Sequence, residues 1–418
     1  MITISSRSLV PVHGKAISSF YFIISYPTDF VNNLPYFANK KMRVYTIIRV
    51  EIINNFQKGK RKMSDLLYDI VRRFAIDVDI APYGNGHIND TYIAESNPRY
   101  ILQRINSKVF KNPDQVMSNI LGVTEHLRAQ IIKNGGDPDR ETLNVVKTID
   151  GKSYYHAENG EYYRMYKFVE RAKSYDTPES PVMLYEAARA FGRFQNMLSD
   201  YPADKLYETI PDFHDTRKRF ANLKRAVEED KMGRRASVEK EIEFAFARGQ
   251  ETGIIVDAIA DGSVPLRVTH NDTKLNNVML DEKTGEGICV IDLDTVMPGS
   301  LLYDYGDALR FGASSGAEDE VDLDKIWFDL EMFEAFTKGF LSEVGSKLTA
   351  RERELLALSA KMMTYECGIR FLTDYLEGDT YFKTHREGQN LDRARTQFKL
   401  VADMESKMDE MNAIIAKY

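Results

Sequence analysis

The sequence predicts an α+β chain of two unequal lobes: a small antiparallel β lobe that carries one helix, then a larger, mainly helical lobe. Three observations predict it. Between residues 80 and 171, short β-branched and aromatic runs alternate with glycine turn signals around one stretch of helical spacing. From Pro181 onward, apolar residues recur mostly at spacings of three and four. A short hairpin, residues 278–291, interrupts that helical half, and Asp and Asn residues crowd both of its ends. The 418 residues, 43% hydrophobic and 28% charged, suit two or three domains or one bilobal enzyme.

The first 62 residues differ from the rest. They hold ten Lys and Arg against two acidic residues, a net +8, so the other 356 residues carry −15 of the total −7. The longest apolar run there, residues 18–26, is too short to span a membrane, and Tyr26-Pro27-Thr28-Asp29 is a poor cleavage site. Met63, Ser64 and Asp65 then open an amphipathic helix with Leu66, Leu67, Ile70, Val71 and Phe74 on its apolar face. Residues 1–62 are therefore expected to be an extension outside the folded domain, with Met63 as the native start. The expected domains are 63–171 and 172–418. An acidic body excludes a nucleic-acid substrate, because phosphate backbones need a basic face. Two cysteines, Cys289 and Cys367, exclude a disulfide framework and point to a reducing compartment, so the chain is expected in the cytoplasm. Seven scattered histidines offer no pair at zinc-ligand spacing.

In the small lobe, Ile80–Ile93 reads as strand, glycine turn and return strand. Gly84 and Gly86 around Asn85 allow the backbone to approach a phosphate, or serve only as a hairpin turn. A dinucleotide fingerprint fails, since no third glycine and no helix follow. Tyr100–Ile105 is the next strand, and residues 114–133 form the helix. Asp150-Gly151 and Asn159-Gly160 mark two hairpins between strand runs at 144–149, 153–156 and 162–169. Gly151-Lys152-Ser153 is not a P-loop, because Val146 stands where its first glycine is required.

In the large lobe, helices are expected at residues 184–198, 213–227, 234–253, 330–344, 350–370 and 391–418. Residues 317–324 read as an exposed acidic loop. Antiparallel pairing of the 278–280 and 288–291 strands brings the residues before the first close to those after the second. Asp272, Asn277, Asp292 and Asp294 then converge. Such residues also cap turns, but four at these spacings suit phosphoryl transfer, where placement and charge neutralisation by Mg2+ dominate. Mg2+ takes oxygen ligands, one or two of them carboxylates, and Asn277 and Asp292 fit that need. Asp272 fits the role of taking or orienting an acceptor hydroxyl proton.

The spacing H-x-D-x-x-x-x-N, followed by strand, turn, strand and I-D, resembles the aminoglycoside phosphotransferase/choline kinase superfamily, small-molecule relatives of protein kinases. THNDTKLNN, IDLDT, MPGS and ECGIRFLTDYLEGDTYF further resemble the N-acetylhexosamine 1-kinases. That resemblance runs from about Asp65 to near the C-terminus. It implies a bilobal protein kinase-like fold, ATP as donor with Mg2+, and the anomeric C1 hydroxyl of N-acetylglucosamine or N-acetylgalactosamine as acceptor. It further implies Gly84, Asn85 and Gly86 as the loop over the nucleotide and residues 166–171, with Phe168 and Glu170, as the hinge at adenine. Asp294 becomes a second metal ligand or a partner of the first. Arg370 and Tyr381 join Asp272 at the sugar, and one of Asp304 and Asp307 braces the catalytic loop. Gln103 stands where kinase-like strands usually offer a phosphate-contacting lysine, a departure that leaves Gln103, Arg104 or a residue elsewhere for that contact. Glu125 is the candidate acid on the neighbouring helix. The implied partners are sugar and ATP, with no nucleic acid, membrane or obligatory protein partner. The rival readings are another acceptor (homoserine, choline or a different sugar) and a non-catalytic nucleotide- or sugar-binding protein.

Overall fold

The computed structural model describes residues 66–84 and 89–418. The expected extension 1–62, the helix start at Met63–Asp65, and Asn85 and Gly86 lie outside the described residues. Residues 67–418 form one unit. The helical segment ending at residue 72 buries Leu67, Ile70 and Val71, with Phe74 just beyond it.

The small sheet contains β1 (Ile80–Pro82), β2 (Asp90–Ala94), β3 (Tyr100–Ile105), β4 (Val145–Val146), β5 (Tyr155–His156) and β6 (Tyr162–Lys167). Its order is β1-β2-β3-β6-β4, with β5 also on β6, and every pairing is antiparallel. The turns at Gly151 and Gly160 hold φ of +81°, the left-handed region that glycine enters without a Cβ penalty. Helix α1 (Pro113–Lys133) starts at a side-chain cap from Asn112 and turns Val116, Ile120, Val123, Leu127 and Ile131 into the core. Glu125 is exposed. It lies five residues past Ile120, on the side opposite the apolar stripe, so it does not face the sheet as expected.

The larger part is helical: α2 (Pro181–Met197), α3 (Thr216–Glu229), α4 (Glu239–Ala247), α5 (Ile254–Ala260), α6 (Leu301–Gly312), α7 (Leu330–Val344), α8 (Ala350–Glu377), α9 (Gln389–Ser406) and α10 (Met408–Ile415). Two expectations need correction. Residues 234–253 are not one helix: α4 is flanked by 3-10 turns at Arg235–Ser237 and Gly249–Gly253. A side chain at Gly249 would collide with the Phe220 ring, so the turn after α4 packs closely against α3. The C-terminal helix is likewise two, broken at Lys407, whose ammonium reaches Phe328 O at 2.8 Å. Helix α8 runs seven residues past Arg370 to a left-handed Gly378 with φ +102°. It is buried nearly all round, as a central helix must be.

Two further small sheets position the site. β7 (Ala172–Lys173) pairs with β9 (Val278–Asp281), which pairs with β10 (Gly287–Val290). β8 (Arg267–Thr269) pairs with β11 (Met297–Gly299). The mixed α+β architecture, an antiparallel sheet followed by a helical region, is the one expected.

Candidate active site

The two further sheets carry the site by simple geometry. The β8–β11 pair aligns Thr269 with Met297, and the β9–β10 pair aligns Val278 with Val290. The loop 270–277 and the loop 291–296 therefore leave the same ends of two ladders. Ile291 N–H donates to Asn277 O at 2.9 Å, which sets Asp292 beside Asn277. His270 clamps the two loops. Its Nε2 reaches Ile291 O at 2.9 Å, and its Nδ1 accepts Asp272 N–H at 3.3 Å. Thr295 Oγ1 donates to His270 O, and Asn271 Nδ2 donates to Thr295 O.

Both loops hold non-glycine residues in the left-handed region, Asn271 at φ +65° and Asp292 at φ +59°. Such conformations cost about 1–3 kcal/mol each and persist only where surroundings enforce them. Asp304 enforces the first. Its two oxygens accept the N–H groups of His270 at 2.9 Å and Asn271 at 2.7 Å. Asp307 accepts Thr273 N–H at 3.0 Å and pairs with Arg310. Both aspartates are buried, so both brace the loop and neither is a surface residue. The acidic loop is only partly free, because Glu318 pairs with Arg310 at 2.8 Å.

Asp272 is approached by Asn277 Nδ2 at 3.2 Å and by Lys274 Nζ at 2.9 Å. Burial pushes its carboxyl up, but the Lys274 ammonium and the Asn277 bond outweigh this and hold it below the usual range. Lys274 went unassigned in the sequence, although it stands two residues past Asp272 on the same motif. Its ammonium also lies over the Phe311 ring at 5.3 Å. Asp292 is the opposite case. Its carboxylate makes no hydrogen bond or ion pair among the described residues, and burial, then Asp294 and Asp272, push it up to about 7. The carboxylate with no donor and the uncommitted Oδ1 of Asn277 are oxygens suited to a hard cation. No group of three or more His, Cys, Asp or Glu could hold a metal ion among the described residues. Asp294 differs again, since both of its oxygens are engaged, by Asn89 at 2.6 Å and by Arg164.

In the turn after β1, Gly84 holds φ +69°. Gln103 faces Thr91 and Arg164. Phe168 is buried under the Arg99 guanidinium, 4.0 Å from the ring centre, with Tyr83 edge-on at 5.9 Å. Its N–H is already bonded to Arg99 O. Glu170 pairs with Arg99, and its carbonyl accepts from Arg140.

Arg370 lies one turn beyond Glu366 on α8. Three rings surround it: Phe213 at 5.4 Å, Phe382 at 5.5 Å and Tyr381 at 5.9 Å. Asp374, one further turn along, accepts the N–H groups of Thr380, Tyr381 and Phe382 and so folds their loop back over Arg370. Glu366 accepts from Thr216 and bonds His214 Nδ1 at 2.8 Å, while His214 Nε2 reaches Asn271 O at 3.3 Å. This chain ties the Arg370 cluster to the residue beside Asp272. Arg219, which donates to Phe213 O, brings a second guanidinium there, and burial and Arg370 hold it below its usual range. His214 and Arg219 carried no local signal in the sequence, and Glu366 stood only as the first residue of the ECGIRFLTDYLEGDTYF stretch, with no role assigned.

Residues 79–334 match the phosphotransferase enzyme family. Among solved structures, an aminoglycoside phosphotransferase of Alicyclobacillus acidocaldarius is similar at 11% identity and TM-score 0.55, over 84% of this chain and 96% of that one. A Ralstonia eutropha protein described as an aminoglycoside phosphotransferase gives 13% and 0.50, over 84% and 98%. A microcompartment-associated aminopropanol kinase gives 15% and 0.49, over 83% and 98%. At these identities the likeness is one of fold. No helix among the described residues is long and apolar enough to cross a membrane.

Proposed function

The chain belongs to the phosphotransferase enzyme family, and we propose that it transfers the γ-phosphoryl group of ATP, with Mg2+, to the anomeric C1 hydroxyl of N-acetylglucosamine or N-acetylgalactosamine. The observation that carries the acceptor is the cluster of Arg370 with Phe213, Tyr381 and Phe382, joined through Glu366 and His214 to the loop of Asp272. Aromatic faces suit the apolar face of a sugar ring, and a guanidinium suits its oxygens.

Asp272 orients the attacking hydroxyl and takes its proton. Lys274 keeps that carboxylate ionised and adds a cation beside the transferred group. Asp292 and Asn277 would hold Mg2+, which supplies charge neutralisation to the phosphates. The turn that begins at Gly84 would cover the phosphates, and the hinge around Phe168 and Glu170 would lie along adenine. Asp304, Asp307 and His270 keep the two loops fixed, so that little reorganisation remains for the transfer itself.

A panel scored by ADP release tests the acceptor. The two N-acetylhexosamines should exceed choline, homoserine and unacetylated hexoses in kcat/KM by a factor of about 10² or more, as for a site built to bond a particular substrate group. Preference for choline or homoserine would move the acceptor and keep the kinase. Stabilisation by Mg-ATP with no product from any acceptor would favour a non-catalytic binder.

A further inference from the structure

Gln103 cannot supply positive charge, and its amide is committed to neighbours. Its Nε2 donates to Thr91 Oγ1 at 3.2 Å. Its Oε1 accepts both Nε and Nη2 of Arg164, at 3.1 and 2.9 Å. Arg164 sits directly opposite Gln103 on β6 and is 0% exposed. Its remaining terminal nitrogen, Nη1, pairs with Asp294. The second oxygen of Asp294 accepts Asn89 Nδ2 at 2.6 Å, and Asn89 Oδ1 accepts Asn106 N–H at 3.0 Å just past β3. Both oxygens of Asp294 are thus held by groups of the small sheet, whereas Asp292, two residues earlier, has no such partner among the described residues.

A guanidinium taken wholly out of water is tolerated only with a well-placed counter-ion and further hydrogen bonds. Here that counter-ion comes from the loop that carries Asp292. An ion pair of this kind fixes register between two elements better than it stabilises either. It also secures Asp292 in its left-handed conformation, because the chain two residues on is anchored. Being fully covered, Arg164 cannot touch a phosphate itself.

We propose that Arg164, through its buried ion pair with Asp294, tethers the Asp292 loop to the small sheet, and that Asp294 is thereby spent on the tether and is not a metal ligand. This rests on the phosphotransferase reading above. Arg164 and Asp294 are positioning residues in this account.

Mn2+, an ion visible by electron paramagnetic resonance, probes the claim through its binding with ADP. Asp294→Asn keeps the shape and an acceptor for Arg164. It should bind Mn2+-ADP as the unaltered chain does, yet lose kcat by about 10–100-fold, the usual effect of removing a group that orients a ligand. Asp292→Asn should lose Mn2+ binding. Arg164→Met should lose at least as much kcat as Asp294→Asn, and adding Asp294→Asn to it should cause no further loss. If Arg164→Met does not fold, Arg164→Lys and Asp294→Asn decide. Loss of Mn2+ by Asp294→Asn to the same degree as by Asp292→Asn would overturn the inference. So would unchanged kcat in Arg164→Met. An unaltered chain that binds no Mn2+-ADP would instead remove the nucleotide-cleft reading, and this inference with it.

Discussion

Asp272 and Asp292 face opposite electrostatic settings on two adjoining loops. Lys274 and Asn277 keep Asp272 charged, as the proposed proton acceptor needs to be. Replacing Asp272 with Asn should leave the melting temperature close to that of the unaltered chain and reduce kcat by about 10² or more. Near-normal turnover would remove Asp272 from its role. Asp292, raised to about 7 by burial with Asp294 and Asp272 behind it, has an unfolded value of about 4. Between those values the native chain keeps a proton that the unfolded chain has lost. Its contribution therefore makes the metal-free protein less stable as pH rises from about 4 to about 7. Asp292→Asn should remove that slope, so its advantage in melting temperature should grow across the window. A constant difference would show that Asp292 titrates normally. These residues were legible because their spacing is local and antiparallel pairing does the rest. Arg164 was not read from the sequence, although one charge between Tyr163 and Met165 in a strand run was a signal. Its counter-ion is 130 residues away, beyond any periodicity.

At the scale of elements, α6 is braced where function needs it. It carries Asp304 and Asp307, and Gly306 lies between them against α8. A Cβ at Gly306 would stand 2.5 Å from Ser359 O, a backbone atom that cannot swing aside. Gly306→Ala should therefore destabilise the fold by about 1–3 kcal/mol in denaturant titration, the usual cost of overpacking. A loss below about 0.5 kcal/mol, typical of surface positions, would mean that the helices part easily. Helix types were readable from apolar spacing, as in α1 and α2, but α2 starts at Pro181 after its Ser180 cap, three residues before the expected 184. Breaks were not readable. Those near Gly249 and at Lys407 coincide with tertiary contacts, to the Phe220 ring and to Phe328 O, that local spacing does not show.

Across the whole molecule, the account needs the small sheet and the helical region to share one nucleotide between them. Binding to the native state alone raises stability by about 2.7 kcal/mol at one hundred times the dissociation constant. Mg-ADP should therefore raise the melting temperature more than ADP with a chelator does, and Asp292→Asn should abolish the difference. Equal shifts with and without Mg2+ would place the metal elsewhere. The α+β class was legible from periodicity because strand and helix signals occupy separate halves of residues 80–418. The cluster proposed for the acceptor was pointed to only by resemblance, at Arg370 and Tyr381. The link from it to Asp272 runs through His214 and Glu366, which are 152 residues apart.

The most direct test of the central claim is phosphorus NMR of the protein with Mg-ATP and N-acetylglucosamine or N-acetylgalactosamine. The account predicts a growing resonance of the sugar 1-phosphate as ATP is converted to ADP. A 6-phosphate, or ATP left intact with both sugars, would contradict it.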